Sequence, residues 1–437
     1  MSKILFVCPT HRDYREIERL GLDQRHRFFF HDYASVLLEE LVAAERPVSA
    51  VVDDVRAEIQ RLRAHYAAAG LDAVVSSDDY PGSTLASILA HALGLPGLDP
   101  RVNLRCQHKY YSRLDQRQHV PDAVPPFHLL DEHGLPSPRA LRYPVFLKPV
   151  KSFFSVGARR VDTAEDLLRD AWDASLFEPF FQPFESLLAD YAGLALGPRV
   201  IVEGLLEGMQ VTVEGYAQGG EIRVIGVVDS IMYPGTRSFQ RFEYPSALPD
   251  SVQERMADIA CKFVRGIGYD NALFNIEMMY DARTDAIHII EINPRIASQF
   301  ADLYEKVDGT NTYEVLLDLA LGRRPAFRRR SGKHRFAASC VLRTFENATV
   351  AALPSVAEVA RVQRLHPDVR VEILATRGRR LSQEMQDGES YRYGIISIGG
   401  RDREDILATL AECRSHLTFG LAPIEEAPPR ARAVVGG

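Results

Sequence analysis

The sequence predicts an α/β and α+β protein: a parallel α/β domain at the N-terminus, an α+β region after it and a strand-rich C-terminal lobe. Three observations carry this expectation. Residues 1–100 alternate short apolar runs with helical segments, the pattern of parallel strands joined by crossover helices. From Arg101 the strands come closer together, and two long ones, Ala272–Tyr280 and Ala286–Asn293, flank a turn-type sequence. Beyond the basic run Arg323–Lys333 the chain is again rich in strands and turns.

The elements follow in order. Ile4-Leu5-Phe6-Val7 is an apolar run closed by Pro9, and Arg27–Phe30 is a second. Leu37–Val42 and Val55–Ala69 read as helices, the latter stopped by Gly70. Leu71–Val75 reads as a strand, and Thr84–Leu93 as a helix ended by Gly94 and Pro96. One helix is expected over Arg101–His119, closed by Pro121, Pro125 and Pro126. Short strands are expected at Pro144–Lys148, Arg199–Glu203, Gln210–Ala217 and Ile222–Val228, then a helix at Ser251–Gly266. These divide the chain into residues 1–100, 101–330 (with a lid at about 140–205), 331–422 and a disordered tail at 423–437.

Composition narrows the function classes. The chain has 437 residues, 46% hydrophobic and 25% charged, with a formal net charge of −7. That acidity argues against a broad nucleic-acid or anionic-membrane surface. No apolar stretch approaches the ~18–20 residues of a membrane span, and the N-terminal run is too short for a signal peptide. Cys8, Cys106, Cys261, Cys340 and Cys413 form no close pair, so neither a disulfide framework nor a zinc knuckle is signalled. A cytoplasmic location is the expectation. The basic run at 323–335 reads as a solvated linker. No GxGxxG or GxxxxGK[ST] occurs.

The chemistry concentrates in Asn275-Ile276-Glu277 and Glu291-Ile292-Asn293-Pro294-Arg295. Asp281–Asp285 is the turn between them, and a turn centred on Thr284 places Glu277 opposite Glu291. Side chains alternate faces along a strand, so Glu291 and Asn293 share one. Neighbouring carboxylates repel unless a cation separates them, and such hard oxygen ligands suit Mg2+.

Glu291-Ile292-Asn293-Pro294-Arg295 resembles the E-x-N-P-R signature that ends the second metal-binding strand of ATP-grasp enzymes. Other motifs fall in that family's order. Phe146-Leu147-Lys148-Pro149 resembles the strand whose lysine contacts the α/β-phosphates, and Lys151–Gly157 takes the place of the phosphate-covering loop. His108-Lys109 resembles the earlier nucleotide lysine, and Val202–Gly208 the hinge that reads adenine. The resemblance covers about residues 1–420 and implies an ATP-grasp fold with a pre-ATP-grasp N-terminal domain.

It also implies roles. Glu277, Glu291 and Asn293 would hold the metal, two Mg2+ ions with Mn2+ able to substitute. Lys109, Lys148, Ser152, Ser155, Gly157, Glu203, Leu206 and Gln210 would hold ATP. Lys148 and Arg295 would serve the chemistry. Two departures stand out. The loop is poor in glycine and carries Phe153-Phe154, and Gln210 stands where the family has a ribose-binding acid, a place Glu203 or Glu214 could fill. Arg237 and Arg241 occupy the substrate-facing region.

Among ATP-grasp proteins the order of domains resembles the L-amino-acid ligases (dipeptide synthetases). That implies an ADP-forming carboxylate–amine ligase acting on small molecules, with no nucleic-acid or membrane partner. Family members are often dimers, so a homodimer is one expectation. The alternatives are a biotin-carboxylase-like or purine-pathway carboxylating ligase, or a catalytically degenerate nucleotide-binding regulator.

Overall fold

The computed structural model describes residues 1–33, 48–130, 141–152, 157–169, 178–195, 197, 199–384 and 390–424. The helix expected at Leu37–Val42, Ser155 and the tail beyond residue 424 lie outside the described residues. The chain divides into two units, Met1–Ser230 with Glu243–Arg335, and Ile231–Phe242 with Phe336–Gly437.

The first unit begins with a parallel sheet in which β1 (Ser2–Val7) lies between β2 (His26–His31) and β3 (Ala73–Val75). The run Ile4–Val7 is apolar throughout because this central strand is buried on both faces. The helices Val48–Ala69 and Thr84–Ala92 follow β2 and β3, and Ile59, Leu62, Leu85 and Leu89 bury against the sheet. Each such side chain contributes about 1.5–3 kcal/mol of transfer free energy.

The helix expected over Arg101–His119 is two helices, Pro100–Gln107 and Lys109–His119. His108 between them is extended (φ −91°, ψ 105°). Its ring caps the second helix by accepting from the Tyr111 amide at 3.4 Å, while the Lys109 amide donates to Val150 O at 2.8 Å. The second contact joins residues 41 apart and no Gly or Pro marks the break, so the pattern gives no sign of it.

A four-stranded antiparallel sheet follows, made of β4 (Phe127–Leu130), β5 (Val145–Pro149), β6 (Arg159–Val161) and β7 (Val200–Gly204) in the order β4-β7-β5-β6. Next come β8 (Met209–Gln218), β9 (Glu221–Met232), β10 (Phe239–Tyr244), β11 (Ala272–Asp281) and β12 (Ala286–Asn293). The first unit holds these as β12-β11-β8-β9. One face is apolar: Val211, Val213, Ile276, Met278 and Ile292 pack with Met256, Phe263 and Val264 of the helix Asp250–Gly266. The other face carries the polar residues described below. Between β7 and β8 the chain turns through Gly208 (φ +131°), where a Cβ would stand 2.1 Å from Tyr280 O. Only glycine fits that turn.

The basic run is exposed to solvent over most of its length, as expected, but it is not a free linker. Arg324 pairs with Glu221 at 2.7 Å, and Arg329 donates to the carbonyls of Val224 and Ile225 at 3.2 and 2.9 Å. The Arg330 amide donates to Asp308 at 2.7 Å. An arginine fork on two backbone carbonyls, with an ion pair and a backbone amide beside it, fastens the run within the first unit, a use of charge that composition does not reveal.

The second unit holds β10, β13 (Phe336–Thr344), β15 (Arg370–Ile373) and β16 (Tyr391–Gly400) in the order β10-β13-β16-β15, and β14 (Ala348–Ala352) paired with β17 (Gly420–Pro423). Cys340, Ile396, Ile398 and Ile406 form its core with the helices Val356–Leu365 and Arg403–Ser415. Among the described residues the five cysteines are free, and no helix is long and apolar enough to cross a membrane.

Candidate active site

Glu277 and Glu291 face one another across β11 and β12, though not through a turn centred on Thr284. Near the turn Asp281 pairs with Ala286 and Met278 with Ile289. Continued in that register, Glu277 would oppose Ile290, and Glu291 would fall beside Ile276 on the apolar face. A β-bulge passes over Ile290, and from there Glu277 pairs with Glu291 and Asn275 with Asn293. Their neighbours on β8 are Thr212 and Glu214.

The cations gather around this pair. Lys109 Nζ lies 3.8 Å from Glu291 Oε2. Gln210 donates to Glu277 Oε2 at 2.8 Å, and the Asn293 amide approaches Glu277 Oε1 at 3.5 Å. Withdrawal from water, and then the charge of Glu291, push the Glu277 carboxyl up to about 8. Two facing carboxylates beside an amide, with this excess of negative charge, are a donor set that fits a hard divalent cation.

Lys148 sits deeper. Its Nζ is 2.7 Å from Glu203 Oε2, and the same carboxylate takes the Arg113 fork, Nε at 2.7 Å and Nη2 at 3.0 Å. All three side chains are buried. Burial alone would raise the Glu203 carboxyl, but Arg113 and Lys148 hold it down at about 2. Glu203 is thus the shared counter-ion of two buried cations.

Lys151 also turns inward, donating to Gln107 at 2.8 Å and lying 3.8 Å from Asp79, over the rings of Tyr80 and Phe184. Burial lowers its ammonium to about 8 against the pull of Asp79. Asp79 would be raised by burial, yet Lys151, Arg295 and Lys109 bring it below the usual range. Ser152 is buried beside Lys151, and Gly157 is left-handed (φ +76°). Leu206 lies in the turn between β7 and β8.

Arg295 follows Asn293 through a turn whose amide returns to Asn293 O at 2.9 Å. Its Nη1 donates to Ile296 O at 3.1 Å, and its Nε has no partner among the described residues. Beside it a cavity is lined by Ser83, Ala86, Ala90, Leu98, Leu273 and Leu319. Arg237 and Arg241 belong to the second unit, whereas every other described candidate belongs to the first.

Glu214 is half committed, since its Oε2 has no hydrogen-bond partner among the described residues. It is fully buried, its Oε1 accepts from the Ala297 amide at 3.0 Å, and burial pushes its carboxyl up to about 8. A carboxyl raised above its unfolded value contributes stability that is fully present below about pH 4.5 and is lost as pH rises through about 8. Glu214→Gln, which keeps the acceptor for Ala297, is therefore expected to flatten that loss and to add on the order of 2–3 kcal/mol at pH 7. Denaturant unfolding of both proteins at pH 5, 7 and 8 checks this; parallel pH curves would refute it.

Arg113, Gln107 and Asp79 do not stand out in the sequence. For Arg113 a signal exists, because it lies one helical turn beyond Lys109 and so shares its face.

Residues 141–302 match the family model of the ATP-grasp domain. A search of the curated proteins found no match. Among solved structures the chain is similar to the L-amino acid ligase from Bacillus licheniformis, with a TM-score of 0.67, 18% identity, and 96% of this chain and 98% of that one covered. It is also similar to the biotin carboxylase domain of the Hydrogenobacter thermophilus 2-oxoglutarate carboxylase, seen with MgADP and bicarbonate (TM-score 0.65, 15% identity, 96% and 91% covered). The carboxyaminoimidazole ribonucleotide synthase from Aspergillus clavatus, complexed with ATP, is a third (TM-score 0.63, 14% identity, 95% and 98% covered). At these identities the likeness shows the fold, and the fold is ATP-grasp.

Proposed function

We propose, starting from an ATP-grasp domain at residues 141–302 of a chain with the ATP-grasp fold, that the protein is an ADP-forming carboxylate–amine ligase. The single observation that carries this is the facing pair Glu277 and Glu291 within reach of Lys109, with Lys148 and Arg295 close enough to bias Glu277. A structural hairpin gains nothing from opposed carboxylates.

In this reading Glu277, Glu291 and Asn293 hold Mg2+, which when bound neutralises the β/γ-phosphates. Two ions are expected, with Mn2+ able to substitute. Lys109 and Lys148 draw the polyphosphate against β12 and β5. Arg295, with Nε unspent, binds the carboxylate of the acid and stabilises the charge that develops on it as the acyl phosphate forms. An amine then displaces phosphate, which divides one difficult condensation into two easier steps.

An amino acid is the acid this site suits best, and the product a dipeptide or related amide. The cavity beside Arg295, lined mainly by apolar residues and also by Ser83, Ser87 and Asn103, offers room for a small side chain, and the Bacillus licheniformis ligase covers nearly the whole chain. The biotin carboxylase and ribonucleotide synthase likenesses keep a carboxylating ligase as the second reading. Mass spectrometry of products formed from ATP, Mg2+ and pooled amino acids separates the two. A dipeptide mass with equimolar ADP is expected. ADP release that depends on bicarbonate, with no amide product, would overturn the proposal.

A further inference from the structure

One side chain outside the candidate ligand set meets β12 at its bulge. Passing over Ile290 costs a ladder hydrogen bond and leaves that residue's carbonyl to find another donor. Arg113 supplies it: Nη2 donates to Ile290 O at 2.8 Å. The rest of the guanidinium is committed, Nε and Nη2 to the Glu203 carboxylate and Nη1 to Gln116. Glu203 therefore orients the plane of the fork that meets the bulge. Arg113 lies one turn after Lys109 on the helix Lys109–His119, so a single helix face meets β12 twice, at the Ile290 backbone and at the Glu291 side chain.

We infer that Arg113 is a positioning residue for metal binding: by holding the Ile290 bulge it turns Glu291 out of the apolar face and sets it opposite Glu277. The inference rests on the reading of Glu277 and Glu291 as metal ligands. A simple charge effect has the opposite sign, since removing a buried cation near the site would favour a bound cation. Lysine cannot replace this arginine. Its ammonium is a point donor that can meet Glu203 but cannot fork onto it and reach Ile290 O as well.

The test is Mn2+ binding, followed by electron paramagnetic resonance, on the full-length protein with saturating ADP. Arg113→Lys is expected to weaken Mn2+ at least tenfold, the usual size of losing a partner that orients a metal ligand, while near-ultraviolet circular dichroism stays as in the wild type. Should that variant fail to fold, Arg113→Gln, which leaves the Glu203–Lys148 pair in place, is expected to show the same loss. Wild-type Mn2+ affinity in whichever of these folds, alongside loss of binding in Glu291→Gln, would overturn the inference and leave the metal site standing. Wild-type affinity in Glu291→Gln overturns the metal reading, and the inference with it.

Discussion

Glu291→Gln is expected to lower ATP turnover by at least about 10²–10³-fold, the scale of removing one preorganised charge-stabilising contact, and at the same time to leave the metal-free protein slightly harder to unfold. The two effects share a cause. Glu291 faces Glu277 across the hairpin and its charge helps to push the Glu277 carboxyl up to about 8. An isosteric amide removes that repulsion when no cation is present, and removes a ligand when one is. Carbon-13 chemical shifts of the Glu277 carboxyl should move its titration downward in the variant. A variant with unchanged turnover would remove the hairpin from the catalytic account, and one with an unchanged Glu277 titration would show that the two carboxylates do not sense each other.

Glu203→Gln is expected to destabilise the fold by about 3–5 kcal/mol, the cost of leaving buried cations without their counter-charge. Arg113 and Lys148 have side-chain exposures of 2% and 7%, and the Glu203 carboxylate serves both. The pH dependence carries the sign. Glu203 is held at about 2, below its unfolded value of 4.5, so its contribution is present above about pH 4.5 and disappears as pH falls toward 2. Urea unfolding of the wild type should weaken over that acidic range, and the variant should show less of the decline. Lys148→Met in the same background should recover part of the loss, because the two sites are in contact and do not add. A variant within 1 kcal/mol of the wild type would mean that water or rearrangement compensates the two cations.

The same residues divide what residue order sets from what folding sets. Short-range chemistry was legible. The apolar run Ile4–Val7 is a buried parallel strand, the turn Asp281–Asp285 does join two long strands, and an ordered series of short motifs pointed to the ATP-grasp fold that the structure shows. These features depend on neighbours a few residues apart, so periodicity and turn preference carry them. The break at His108, the commitment of Glu203 to two cations and the fastening of the basic run were not legible. Each is fixed by a partner far along the chain: Val150 for Lys109, Arg113 for Glu203, Val224 and Ile225 for Arg329.

The hairpin shows the boundary most sharply. A symmetrical turn put Glu277 opposite Glu291 on paper, whereas in the protein the turn alone would have set them one residue out of step. The residue types at the site were written in the chain, because oxygen ligands and cations announce their chemistry wherever they stand. Their alignment was settled only when a buried arginine from another helix met a carbonyl on β12, since a strand's side chains change face with every single-residue shift and nothing local holds that shift in place.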